Sequence, residues 1–128
     1  MAVTVLIVDD DVTLRWLLCK QLDKLNLQAD SAANGREALE RVQKWPYQVI
    51  LMDIQMPEMD GYEATRAIRR REKELMQDPV PIIAITAVPD SERCFEAGMT
   101  DYLQKPVDIE KLDAVLRKWL TARKTERA

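Results

Sequence analysis

Read from the N-terminus, the short apolar runs of this chain close on residues that can do chemistry. Val3–Val8 (VTVLIV) runs into Asp9, Asp10 and Asp11, Tyr47–Met52 (YQVILM) into Asp53, Ile82–Ile85 (IIAI) into Thr86, and Asp101–Gln104 (DYLQ) into Lys105. If the runs are strands of one sheet, the endings share one rim. Carboxylates a few ångströms apart repel by several kcal/mol at an effective dielectric of about 20. Such a group must take up protons or recruit a cation. Oxygen ligands without His or Cys favour a hard ion, and Mg²⁺ is the abundant one. Mg²⁺ ordinarily takes one or two carboxylates together with a phosphate oxygen, so the set points to phosphoryl chemistry. An ionised aspartate can act as nucleophile and form an acyl phosphate. Lys105 would offset charge on the phosphoryl oxygens, and the Thr86 hydroxyl could donate to one of them.

Each residue alone has a plainer reading. Asp9 to Asp11 fit a solvated turn with a helix N-cap. Asp53 fits a turn former, Thr86 a β-branched strand residue, and Lys105 a surface lysine. Their joint placement on four strand ends favours the functional reading. Histidine is absent, which removes Ser-His-Asp triads, Cys-His dyads and His-ligated zinc. The net charge of -3 gives no reason to expect nucleic acid or an acidic membrane as a partner. Two cysteines, Cys19 and Cys94, lack metal spacing and make no disulfide framework, so a reducing, cytoplasmic setting is expected. Apolar runs of about five residues are well short of a membrane span.

The elements that would position these residues follow from periodicity. The chain has 128 residues, room for one domain. Leu14, Leu17, Leu18, Leu22 and Leu25 recur at helical spacing, and Leu27 to Ser31 fits a short second strand. Asn34-Gly-Arg-Glu37 and Asp60-Gly-Tyr-Glu63 are capping-box patterns, the second opening a helix that runs to near Met76. A short helix should end near Gly98, and Asp108 should cap a last helix bearing Leu112, Val115, Leu116, Trp119 and Leu120. Five apolar strands alternating with five helices indicate an α/β fold, a parallel sheet covered on both faces. In such a sheet, ligands bind outside the C-terminal ends of the strands.

Val5-Leu-Ile-Val-Asp-Asp-Asp11, Leu51-Met-Asp-Ile-Gln-Met-Pro-Glu-Met-Asp-Gly61, Ile85-Thr-Ala87 and Asp101-Tyr-Leu-Gln-Lys-Pro106 together resemble the receiver domain of two-component response regulators. The resemblance runs from Val3 to Leu120. It implies a flavodoxin-like (βα)5 three-layer sandwich with strand order 2-1-3-4-5, a receiver over residues 1–122 and a polar tail over 123–128. Asp53 is then the phosphoacceptor, supplied by a histidine kinase or a histidine phosphotransfer domain. Asp10 would ligate Mg²⁺ directly and Asp9 mostly through water, with Asp53 and the backbone carbonyl of Gln55 as further ligands. Thr86, Lys105 and the backbone N–H groups of Ile54 and Ala87 would contact the phosphoryl oxygens. Lys105-Pro106 resembles the family's cis peptide. Tyr102 resembles the aromatic that turns inward when Thr86 moves toward the phosphate, a two-state signalling switch read by a downstream effector. Gln55 is expected to affect how water approaches the acyl phosphate.

The runs around Asp53 and Lys105 look most like receivers of hybrid sensor kinases, the cytoplasmic part of a membrane-bound kinase included; a stand-alone regulator is the alternative. The stretch between Thr86 and Lys105 is shorter than the family pattern by most of a helical turn, which bears on dimerisation through that face. A different class also fits Asp9-Asp-Asp11-Val-Thr13: the D-x-D-x-T opening of haloacid-dehalogenase-type phosphatases, with Asp9 as nucleophile, Asp11 as acid/base and Lys105 as the later lysine. A third is an interaction module that has lost phosphorylation, against which the full set of site residues argues.

Overall fold

The computed structural model describes residues 4–127, with side chains described through residue 120. The elements are β1 (Thr4–Val8), α1 (Val12–Lys24), β2 (Gln28–Ala32), α2 (Gly35–Lys44), β3 (Val49–Asp53), α3 (Gly61–Glu74), β4 (Ile82–Thr86), α4 (Ser91–Ala97), β5 (Asp101–Gln104) and α5 (Ile109–Arg127). All four strand pairings are parallel, in the order β2-β1-β3-β4-β5. This is the order the resemblance implies. The expected strand start at Val3 lies outside the described residues, as does Ala128. Helical backbone continues to Arg127, through the part of the expected tail that is described.

Alternation along each strand sorts its side chains to the two faces of the sheet. Leu6, Val8, Ile50, Met52, Ile82 and Ala84 pack with Ala38, Ile68 and Cys94, under α2, α3 and α4. Val5, Ile7, Val49, Leu51, Ile83 and Ile85 pack with Leu18, Leu22, Leu112 and Leu116, under α1 and α5. β3 and β4 are buried along their whole length, whereas the edge strands β2 and β5 are partly exposed. Asp53 and Thr86 therefore stand at the ends of the two fully buried strands.

Local chemistry sets the boundaries. Asp11 caps α1, its carboxylate accepting from the N–H groups of Thr13 and Leu14. Asn34 and Asp60 accept from Glu37 and Glu63, as the capping-box patterns indicate. Gly98 ends α4 in the left-handed conformation at φ 103°. β2 starts at Gln28 rather than Leu27, because the Leu27 N–H donates back to the Leu22 carbonyl and closes α1. The same device ends α3 at Glu74, two residues before the expected end: the Gln77 N–H donates to the Glu72 carbonyl while Met76 sits at φ 54°.

Candidate functional site

β1 and β3 are neighbours, with Val8 opposite Met52, so Asp9 and Asp53 emerge side by side at the C-terminal rim. Asp9, Asp10 and Asp53 each bring a carboxylate oxygen within 4.8 Å of the others. Asp9 and Asp53 are 2% and 3% exposed, so water does little to screen them. Asp10 is exposed and opens the cluster to solvent. From β5, the Lys105 ammonium donates to Asp53 Oδ1 at 3.1 Å and lies 3.9 Å from Asp9 Oδ2. The Lys105 backbone is tied to the adjacent strand, its N–H donating to the Thr86 carbonyl at 2.8 Å, and the Lys105–Pro106 peptide is cis.

Asp9 is held on three sides. Its N–H donates to the Ala32 carbonyl at 3.1 Å. Its Oδ1 accepts from the Asp11 N–H at 2.9 Å, and its carbonyl accepts from Arg15 Nη1 at 2.6 Å. Oδ2 is buried with no hydrogen-bond partner. Burial pushes the Asp9 carboxyl up from 3.8 to about 6, opposed by the Asp11 N–H, and the Asp53 charge adds to the rise. Burial also pushes Asp53 up, against the hydrogen bond and charge of Lys105 and the N–H of Gln55.

Three carboxylates and one ammonium leave two net negative charges in this pocket when all are ionised. Like charges about 5 Å apart repel by roughly 3 kcal/mol at an effective dielectric of about 20. A hard divalent cation satisfies both the charge and the orphaned Asp9 oxygen, and every donor in the cluster is oxygen. The residues therefore fit Mg²⁺.

The remaining expected residues surround this centre without all facing it. Thr86 is buried at the end of β4, and its hydroxyl exchanges 3.3 Å hydrogen bonds with the backbone of Val88. Ala87 lies in the exposed turn that follows, its carbonyl accepting from Gln104 Nε2 at 3.3 Å. The Ile54 N–H donates to the Ile85 carbonyl at 3.3 Å and so continues the sheet beyond Asp53. Gln55 is exposed, and its backbone N–H is what faces the Asp53 carboxylate. Tyr102 pairs with Ala84 as Gln104 pairs with Thr86, so it shares their face of the sheet, with its ring at the surface. Asp11 is spent on capping α1, away from the acid/base role that the phosphatase reading required.

Two residues that contact the site's backbone carry no site role in the sequence analysis. Gly61 opens α3 against the acceptor strand, its N–H donating to the Ile54 carbonyl at 2.9 Å. A Cβ there would collide with the Asp53 carbonyl oxygen and lie 2.9 Å from Ile54 Cα. Arg15 reaches back from α1 to the Asp9 carbonyl. Its signal was faint: a cation near a helix N-terminus opposes the helix dipole and needs another reason to be there.

Residues 5–117 match the family described as the response regulator receiver domain. The hybrid signal transduction protein dokA of Dictyostelium discoideum is 40% identical over 112 residues, 88% of this chain and 6% of dokA. The sensor histidine kinase GacS of Pseudomonas protegens is 37% identical over 118 residues, 90% of this chain and 13% of GacS. The chain thus spans a small fraction of these relatives. Among solved structures, the receiver domain of a sensor histidine kinase from Pseudomonas aeruginosa, with a magnesium ion coordinated in its active-site cleft, superposes with a TM-score of 0.84 at 35% identity. That likeness covers 94% of this chain and 99% of that one. A receiver domain of a Saccharomyces cerevisiae response regulator, crystallised with its histidine phosphotransfer protein, gives a TM-score of 0.89 at 32% identity, covering 95% and 91% of the two chains. No helix among the described residues is long and apolar enough to cross a membrane.

Proposed function

The chain belongs to the response regulator receiver domain family, and from that premise we propose that Asp53 accepts a phosphoryl group from a phosphohistidine on a partner kinase or phosphotransfer protein. The observation that carries this is the meeting of Asp9, Asp10 and Asp53 within 4.8 Å, with Lys105 bonded to Asp53. Residues 1–122 act as the receiver and 123–128 as its polar tail.

An Asp53 carboxylate oxygen attacks phosphorus, the phosphorus–nitrogen bond breaks, and the electron pair leaves with the imidazole, which takes up a proton. Asp10, Asp53, the Gln55 carbonyl and, mostly through water, Asp9 would hold Mg²⁺. Bound Mg²⁺ supplies charge neutralisation for the phosphoryl oxygens. Lys105 stabilises the same oxygens from the β5 side, worth a few kcal/mol in comparable sites. The Thr86 hydroxyl leaves Val88 to donate to the phosphoryl group, the Ala87 and Ile54 N–H groups turn to it, and Tyr102 moves into the space Thr86 vacates. Two arrangements of one turn thereby report phosphorylation to a downstream protein. Gln55 at the mouth governs the approach of hydrolytic water. The likeness to dokA and GacS supports placement within a hybrid sensor kinase, whose receiver this reading puts on the cytoplasmic side.

The test is to incubate the protein with Mg²⁺ and acetyl phosphate and map the label by mass spectrometry. Label on Asp53, absent from Asp53→Asn, is the expected result. Label that survives Asp53→Asn but is lost in Asp9→Asn would overturn the assignment. Whether a histidine-kinase core precedes this segment in the full open reading frame decides the context.

A further inference from the structure

Asp9 presents four polar groups, and three are tied down: the N–H by Ala32, Oδ1 by the Asp11 N–H, and the carbonyl by Arg15. Only Oδ2 is left, buried and without a hydrogen bond, beside Asp10 and Asp53 and 3.9 Å from the Lys105 ammonium. Of the three ties, two are backbone groups, the Ala32 carbonyl of β2 and the Asp11 N–H of the β1–α1 turn. The third is a side chain that reaches across six residues at 2.6 Å. Arg15 also holds its own place in α1, its N–H donating to the Asp11 carbonyl at 3.0 Å. The guanidinium thus links the helix to the peptide between Asp9 and Asp10. Rotation of that peptide would swing both carboxylates.

We propose that Arg15 is a positioning residue for the cation site: by fixing the Asp9–Asp10 peptide it holds the free Asp9 oxygen and the Asp10 carboxylate in register for one divalent ion. This rests on the reading of the site given above. The Arg15 side chain donates to the Asp9 carbonyl and makes no ion pair with the Asp9, Asp10 or Asp53 carboxylates. It suits the task because its planar, always charged fork is pre-organised, which a lysine on a flexible stem is not. Partners that orient a ligand residue commonly change metal affinity by about ten- to a hundredfold when removed.

The experiment is calorimetric titration of the folded protein with Mg²⁺ alone, with thermal melting in EDTA as a parallel readout. R15M is expected to bind Mg²⁺ about tenfold more weakly than the wild type. R15K, which keeps a donor and a charge, is expected to recover part of the loss and sit roughly threefold below the wild type. A purely structural role would lower the melting temperature in EDTA and leave the Mg²⁺ affinity of the folded protein unchanged. A folded R15M that binds within about twofold of the wild type overturns the proposal, since the expected change is about tenfold. Should R15M fail to fold, R15K carries the test, and binding equal to the wild type overturns it. D10N separates the two levels of the argument: Mg²⁺ binding by D10N equal to the wild type would overturn the reading of the site itself, and the role of Arg15 with it.

Discussion

Lys105 Nζ lies 3.1 Å from Asp53 Oδ1 and bridges the ends of two strands that are not neighbours, β3 and β5, across the mouth of β4. The Lys105 side chain is about a quarter exposed, while the carboxylate it serves is buried. It is therefore placed both to keep Asp53 ionised and to meet charge arriving on it. K105A is expected to fold and to accept phosphoryl groups from acetyl phosphate about a hundredfold more slowly. Removing the ammonium takes away the chief influence that lowers Asp53 and one of those that lower Asp9, so the pH profile of the rate should move to higher pH. Initial rates of label uptake across pH check both. A rate and profile equal to the wild type would contradict the role of Lys105.

Asp9 gives a pH dependence whose direction is fixed by burial. Its folded carboxyl titrates at about 6, against 3.8 for the ordinary group. Between those values the folded state keeps a proton that the unfolded state has lost, so stability falls as pH rises through the window. Above about 6 the cost levels off, at no more than about 3 kcal/mol. D9N should therefore gain stability relative to the wild type between pH 4 and 7 in EDTA. Denaturant melts of the two proteins at several pH values measure the difference. A difference that stays flat, or shrinks as pH rises, would refute this account. Added Mg²⁺ requires the ionised form and should stabilise the wild type increasingly over the same interval.

Asp9 and Asp10 are adjacent in sequence but not equivalent. Asp9 spends Oδ1 on the Asp11 N–H and is buried, whereas Asp10 stands at the open side of the cluster. D10A should weaken Mg²⁺ binding more than D9A, because D9A loses one buried oxygen and relieves repulsion at the same time. Titration calorimetry on both variants settles the order, and the reverse order would reassign the direct ligand.

Much of the fold and of the site is legible in the sequence. β4 and β5 are apolar or alternating runs with sharp polar ends, and the strand endings alone placed Asp9, Asp10, Asp53, Thr86 and Lys105 on one rim. The capping residues Asn34, Asp60 and Gly98 act locally and could be read locally. Asp11 is part of the acidic run by composition, and the family resemblance leaves it out of the ligand pair; which residue of the run caps α1 depends on where that helix begins, and the fold gives the cap to Asp11. β2 slipped by one residue because the end of α1 consumed Leu27, a backbone contact that hydrophobic pattern does not encode. Arg15 stayed hidden because its target is a carbonyl, which every residue has.

Gly61 provides the sharpest contest between local propensity and tertiary packing. It is the first residue of α3, behind the Asp60 cap, where alanine is normally preferred over glycine by up to about 1 kcal/mol. Propensity alone would make G61A stabilising. The added Cβ would instead run into the Asp53 carbonyl oxygen and lie 2.9 Å from Ile54 Cα, both backbone atoms of the acceptor strand. Backbone cannot swing aside as a side-chain tip can, so α3 must retreat or the end of β3 must shift. Overpacking of this kind costs about 1–3 kcal/mol, which exceeds the propensity gain. G61A should therefore lower the denaturant midpoint, and it should slow phosphorylation of Asp53 even where the variant is fully folded, because the strand end carries the nucleophile. Circular dichroism melts and label-uptake rates measure the two effects separately. A G61A protein at least as stable as the wild type would show that α3 can slide without cost, and the close approach would lose its claim to position Asp53.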